Sequence, residues 1–265
     1  MKKLGKIYIA LVLMFLYIPI FVLIVFSFNE SKSTVFTGFT LEWYAKLFQN
    51  ELIISSLINT IIIAVCASII ATVLGTMAAI GIVRMNKFTK AAVMNVTNIP
   101  IINPEIVTGV SLMLLFVFFK ARMNLEFGFG TLLIAHITFD VPYVILNVIP
   151  KFRQMQPNIY EAAQDLGCSP VKAFFKVVMP EIMPGIISGF LMAFTFSLDD
   201  FIISYFTSGP TSQTLPITIY SMTRRKVSPE INALSTIIFV VVVIVLVVKN
   251  IFERRQVSEA KTERR

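Results

Sequence analysis

The chain has 265 residues, 56% of them hydrophobic and 14% charged, with a mean hydropathy of +0.81 and a net charge of +8. Soluble domains are about 45–50% apolar and about 25% charged, so a soluble, disordered, collagen-like or coiled-coil chain is excluded. At roughly 20 apolar residues per span, the content suffices for six membrane helices with short loops.

The first uncharged stretch runs from Ile7 to Phe28, after Lys2, Lys3 and Lys6. Its basic start resembles a signal peptide, but it exceeds the roughly 7–15 apolar residues of a signal core and no small-x-small cleavage site follows. It reads as an uncleaved first span. Leu52 to Val83 reads as the second, with Ala67, Ala71, Gly75 and Ala79 four apart along one face. Such a small-residue ridge lets helix backbones approach closely in lipid.

A third run, about Ala91 to Phe119, is interrupted by Pro100, Pro104 and Glu105, and a break is expected at Pro104. A fourth, about Phe129 to Ile149, carries His136, Asp140, Tyr143 and Asn147 at helical spacing, which makes one polar stripe. A fifth, about Met183 to Phe206, contains Asp199 and Asp200. Read as one helix, it places Thr195 with Asp199 on one face and Asp200 with Ser204 on another, since neighbours point about 100° apart. One of the two acids is then expected to meet substrate and the other to bond a neighbouring helix. The sixth run is Ile231 to Val248, opened by Ser228 as N-cap, Pro229 and Glu230.

Placing both termini inside puts 16 of the 23 Lys and Arg residues on the cytoplasmic side and 7 outside, as the positive-inside rule favours. The outside group includes the cluster Arg224, Arg225 and Lys226. Trp43 and Tyr44 are expected at the membrane interface. The net positive charge fits cytoplasmic loops and anionic lipid, and no basic soluble domain supports nucleic-acid binding. Two distant cysteines, Cys66 and Cys168, and one histidine make neither a disulfide framework nor a metal site.

Between the fourth and fifth runs lies Gln156 to Pro184, where the hydrophobic pattern breaks. Pro157 opens a short helix and Gly167 ends it; Ser169-Pro170 caps and opens a second, expected to stop before Pro180. The expected product is a rigid helix–turn–helix elbow. Within it, Glu161-Ala162-Ala163 is followed by three residues, Gly167, nine residues, and Val177-Val178-Met179-Pro180.

That spacing resembles the EAA loop of permease subunits in binding-protein-dependent ABC importers, which reads Glu-Ala-Ala, three residues, Gly, nine residues, Ile-x-Leu-Pro. Val177 for Ile and Met179 for Leu are the departures, and both stay apolar. The resemblance covers nearly the whole chain. It is nearest to the PotC-type permeases of spermidine/putrescine importers, on Ser197-Leu198-Asp199-Asp200-Phe201, Ser204-Tyr205-Phe206, Gly209-Pro210, Leu215-Pro216, Ile219-Tyr220-Ser221-Met222 and Ser228-Pro229-Glu230-Ile231-Asn232-Ala233-Leu234.

The resemblance implies an all-α polytopic membrane protein with six transmembrane helices in the type I (MetI-like) permease fold. It implies a first helix and loop over 1–54, a permease domain over 55–250 with its coupling loop at 156–184, and a cytoplasmic tail over 251–265. Glu161, Ala162, Ala163, Gly167, Val177, Met179 and Pro180 would couple to an ATPase. The partners it implies are a homologous second permease (PotB-like), an ATPase dimer (PotA-like), an extracytoplasmic binding protein (PotD-like) and membrane lipid. Arg224, Arg225 and Lys226 would meet the binding protein. The location is the bacterial cytoplasmic membrane, multi-pass, with both termini in the cytoplasm.

The sequence lacks a G-x-x-x-x-G-K-[ST] phosphate loop. ATP and Mg are therefore expected on the partner ATPase, with no cofactor on this chain, which is a transporter subunit and not an enzyme. Glu105, Asp140, Asp199 and Asp200 fall at membrane depth with no Lys or Arg in the same spans. Acids there usually face protein or a wet cavity, and a path lined by them suits a cationic solute such as a polyamine. Tyr205 adds a ring for a cation–π contact. The competing reading is an ion-gradient-driven secondary transporter or channel, in which the elbow has no task.

Overall fold

The structure is a computed structural model describing residues 2–32, 35–123, 126–156, 158–225 and 229–262; side chains at 2–4, 225, 245–246 and beyond 247 lie outside the description. The described residues are overwhelmingly helical, and their only extended pairing is an isolated bridge between Asn29 and Phe39. In lipid, backbone N–H and C=O groups have no water to bond, so helices that satisfy them internally are the available spanning form.

Two compact units divide the chain: Met1–Ser56 with Thr218–Val247, and Leu57–Ile217 with Val248–Arg265. The first contains α1 (Lys2–Phe26), α2 (Glu42–Gln49) and the greater part of α11 (Leu215–Arg225) and α12 (Pro229–Thr262). After α1 the chain folds into a small cap. Trp43 is buried there, its indole N–H donating to the Asn29 carbonyl at 2.7 Å, with the ammonium groups of Lys46 and Lys32 at 4.8 and 5.5 Å from its ring. Tyr44 Oη lies 2.7 Å from Ser27 Oγ. Trp43 is thus the core of a folded loop, its N–H satisfied by an internal acceptor. Ser56 and Thr218 share a buried hydroxyl bond of 2.7 Å.

The second unit is built on α3 (Glu51–Arg84), α4 (Lys87–Ile102), α5 (Glu105–Met123), α6 (Phe129–Gln154), α9 (Met179–Asp199) and α10 (Ile202–Thr207). The ridge on α3 does pack: Ala67, Ala71 and Ala79 are fully buried, and a Cβ on Gly75 would stand 2.7 Å from Val144 of α6. A matching ridge on α9, Gly185, Gly189 and Ala193, meets α6 at Asn147, Val148 and Val144. Both ridges therefore converge on Val144, and α6 becomes the buried central rod.

The third run divides into two helices. Asn86 caps α4 by accepting from the Thr89 N–H at 2.9 Å. The break falls at Asn103-Pro104, as expected, and α5 starts at Glu105. Five helices, starting at Gly5, Glu51, Glu105, Phe129 and Pro170, are long and apolar enough to cross a membrane, and Pro229–Ile244 is a shorter apolar helix. Together they account for six spans.

The fifth run differs from the sequence reading. α9 ends at Asp199, Asp200 is extended (φ −63°, ψ 123°), and α10 begins only at Ile202. The two acids are therefore not neighbours on one helix. The cause is local: the Asp200 carboxylate accepts from the N–H groups of Ile203 at 3.2 Å and Ser204 at 2.7 Å, so it caps a new helix in place of continuing the old one.

Candidate functional site

The elbow forms from the signals read in the sequence, with two corrections. α7 (Ile159–Asp165) ends at Gly167, whose φ of +86° is the left-handed conformation glycine adopts without steric cost. The Gly167 N–H donates to the Gln164 carbonyl at 2.8 Å and the Cys168 N–H to that of Ala163 at 3.1 Å, the paired bonds of a Schellman motif. Pro170 opens α8 (Pro170–Ala173), and Ser169 stands at its N-cap position without the side-chain cap bond expected of it. Pro157 lies outside the described residues.

The second arm does not stop before Pro180. It passes through a π-helical turn, Phe174–Val178, straight into α9. Proline has no N–H and its ring collides with the carbonyl four residues back. Widening the preceding turn, with the Met179 N–H bonded to the Phe174 carbonyl five residues back, lets Pro180 sit in a continuous helix.

On this elbow Glu161 and Ala162 are exposed, Ala163 is buried inside the bend, Val177 and Met179 are half-buried, and Pro180 is exposed. The bend also displays Leu166, Val171 and Phe175 at 88%, 66% and 60% exposure. Those three large apolar side chains went unread in the sequence. Exposed apolar residues on this elbow are candidates for contact with another surface.

The intramembrane acids belong to one region of the second unit. His136 of α6 is its polar centre, 2% exposed. Its Nδ1 lies 2.6 Å from Ser197 Oγ on α9, and its Nε2 lies 2.9 Å from Ser204 Oγ on α10 and 3.6 Å from Asp200 Oδ2. A neutral imidazole donates from one nitrogen and accepts at the other, so two hydroxyls satisfy it. The ring pins both sides of the Asp199–Phe201 break onto α6. Sequence reasoning placed His136 on the stripe but missed these partners, since Ser197 and Ser204 meet it only across helices.

Asp200 is 5% exposed at its side chain and committed to capping, whereas Asp199 is exposed. Glu105 is exposed at the start of α5 and lies within electrostatic range of both. Asp140 is fully buried and neither of its oxygens has a hydrogen-bond partner. Tyr143 meets both Phe139 and Phe196 edge to face, the latter with centroids 4.6 Å apart, and Phe139 and Phe196 are tilted to each other. Tyr205 on α10 is half exposed and packs against Phe201 and Phe206. Asn147 of the stripe bonds the Tyr143 carbonyl at 2.8 Å and the Met192 sulfur at 3.3 Å.

In the first unit, Arg224 is exposed with its guanidinium 5.6 Å from the Tyr220 ring. The Arg225 side chain, Lys226 and Ser228 lie outside the described residues. Among the described residues no group of acids, His and Cys is arranged to hold a metal.

Helices long and apolar enough to cross a membrane, acids within or at the ends of them and an elbow leading into one of them are the features of a membrane transport subunit. Residues 71–257 match the family of binding-protein-dependent transport system inner membrane components, and the chain belongs to that family. It is 42% identical over 228 residues to the putrescine transport system permease PotI of Escherichia coli (strain K12), covering 84% of this chain and 81% of that one. It is 37% identical over 242 residues to the spermidine/putrescine permease PotC of Haemophilus influenzae, covering 91% and 93%. Among solved structures it resembles a bacterial ABC transporter for the acidic polysaccharide alginate, with a TM-score of 0.75 at 17% identity over 96% of this chain and 94% of that one. An amino acid ABC transporter gives 0.58 at 23% identity, over 82% and 99%. The type I ABC importer permease fold is thereby shown, and with family membership the chain is a multi-span, non-enzymatic component of the cytoplasmic membrane that acts within an ABC importer.

Proposed function

We propose that the chain is the permease subunit of an ATP-driven importer for polyamines such as putrescine and spermidine. The observation that carries the reading is the elbow: the Glu161-Ala162-Ala163, Gly167 and Pro180 spacing, with Gly167 in its left-handed turn. Glu161, Ala162, Gly167, Val177, Met179 and Pro180 form the surface that couples to the ATPase, with Ala163 holding the bend. The named relatives supply the solute class.

The assembly contains a homologous PotB-like permease, a PotA-like ATPase dimer that binds ATP and Mg, and a PotD-like binding protein, with no cofactor on this chain. Residues 55–250 form the transport domain, preceded by the first helix and loop and followed by the tail at 251–265. Both termini face the cytoplasm. Arg224, Arg225 and Lys226 meet the binding protein.

The solute path runs along Glu105, Asp140, Asp199, Asp200 and Tyr205. The exposed acids Asp199 and Glu105 receive the ammonium groups, and Asp200 holds the helix break that presents them. Closure of the ATPase pushes the elbow, which reorients α9 and α6 about this region and changes the side from which it is reached.

The test is uptake of radiolabelled putrescine by proteoliposomes holding the assembled complex. Uptake should require ATP and loaded binding protein. Accumulation by this chain alone, driven by an ion gradient, would overturn the reading.

A further inference from the structure

The acids of the second unit fall into two groups. Glu105 and Asp199 are exposed. Asp140 has no exposed surface and both its oxygens are without a hydrogen bond, although His136, one turn earlier on α6, is fully bonded to two serines. An ionised carboxylate left alone inside a span is costly, so selection for packing alone favours an apolar residue or an amide with a partner at that position.

A ring pair joins the two groups. Tyr143 lies three residues after Asp140, on the same face of α6, and Phe196 lies three residues before Asp199 on α9. Their rings meet edge to face at 4.6 Å, with Phe139 beside them at 5.2 and 6.3 Å. Tyr143 is also within electrostatic range of both Glu105 and Asp140. Pro142, two residues after Asp140, removes one backbone bond from α6 and makes that turn pliable. Aromatic faces favour passing cations.

The geometry points to Asp140 as an inner cation station, sealed in this conformation, that accepts an ammonium group of the solute once the Tyr143–Phe196 pair parts. This rests on the reading of the chain as an amine permease and gives the buried acid of that path a separate, later contact from the exposed ones. No bond is made or broken; the ammonium passes between carboxylates.

The experiment uses the assembled importer in proteoliposomes. Wild-type putrescine uptake is measured first; its absence would overturn the functional reading and this inference with it. Given wild-type uptake, Asp140→Asn should lower the maximal rate by about tenfold or more, the scale of a lost charge-assisted bond, in a complex that still elutes fully assembled in size-exclusion chromatography. Wild-type uptake kinetics in Asp140→Asn would overturn the inference alone.

A second arm guards against misfolding. In a Cys66→Ser, Cys168→Ser background, Asp140→Cys is exposed to a cationic methanethiosulfonate reagent. Labelling should be absent at rest and appear when the complex is trapped with ATP and vanadate. No labelling in any state would likewise overturn the inference.

Discussion

His136 Nε2 stands 3.6 Å from Asp200 Oδ2, yet its hydrogen bonds go to Ser197 and Ser204 on either side of that residue. One imidazole thus fastens the end of α9 and the start of α10 to α6. Removing it leaves two buried hydroxyls and a carboxylate without that neighbour. His136→Ala should destabilise the chain by about 2 kcal/mol, the scale for orphaned buried polar groups, read as a lowered Tm in detergent. An unchanged Tm would show that the ring fastens nothing.

Asp199 and Asp200 should separate experimentally. Asp200→Asn retains an acceptor suited to a helix N-cap, while Asp200→Ala loses it and should cost about 1 kcal/mol. Asp199 makes no such bond and is exposed. Asp199→Asn should therefore leave Tm unchanged and weaken putrescine uptake. The reverse pattern, with Asp199→Asn unfolding the protein, would exchange their roles.

Gly167 has a φ of +86°. A Cβ in the left-handed region costs roughly 1–2 kcal/mol, so Gly167→Ala should loosen the elbow, and Gly167→Asn, better tolerated there, should recover much of the loss. Gly167→Pro and Glu161→Lys should abolish uptake while the protein still inserts. The readout is solute taken up per ATP hydrolysed, and wild-type coupling in all of them would remove the elbow from the mechanism.

Gly209 approaches another loop so closely that a Cβ would fall 2.1 Å from the Phe127 carbonyl oxygen. Nearby, Thr131 Oγ1 donates to the Thr207 carbonyl at 2.8 Å. Gly209→Ala should lower the yield of folded protein in size-exclusion chromatography much more than Gly130→Ala, where nothing lies within 4 Å.

Much of this was legible in sequence for reasons that operate within a segment. Apolar length found the spans, Pro104 found the break before α5, and the Ala67-to-Ala79 ridge found a packing face. Gly167 and Ser169-Pro170 located the bend because turn chemistry is local. What stayed hidden needed contacts between segments or a change of helical register. Asp200 reads as part of a span until its carboxylate is seen on the Ser204 N–H, and the partner of the Trp43 indole, the Asn29 carbonyl, shows only in the fold. The Gly185, Gly189 and Ala193 ridge has the same four-residue spacing, and its partner Val144 shows only across helices.

Pro180 was read as a terminator, and the widened turn before it has a mechanical consequence. Because the backbone never breaks between Pro170 and Asp199, a push at the bend cannot be absorbed by a slack joint. It arrives at the far end as displacement and twist of the same shaft that carries Ser197, fixed to the His136 ring. The bend and the His136-held serine are opposite ends of one crank.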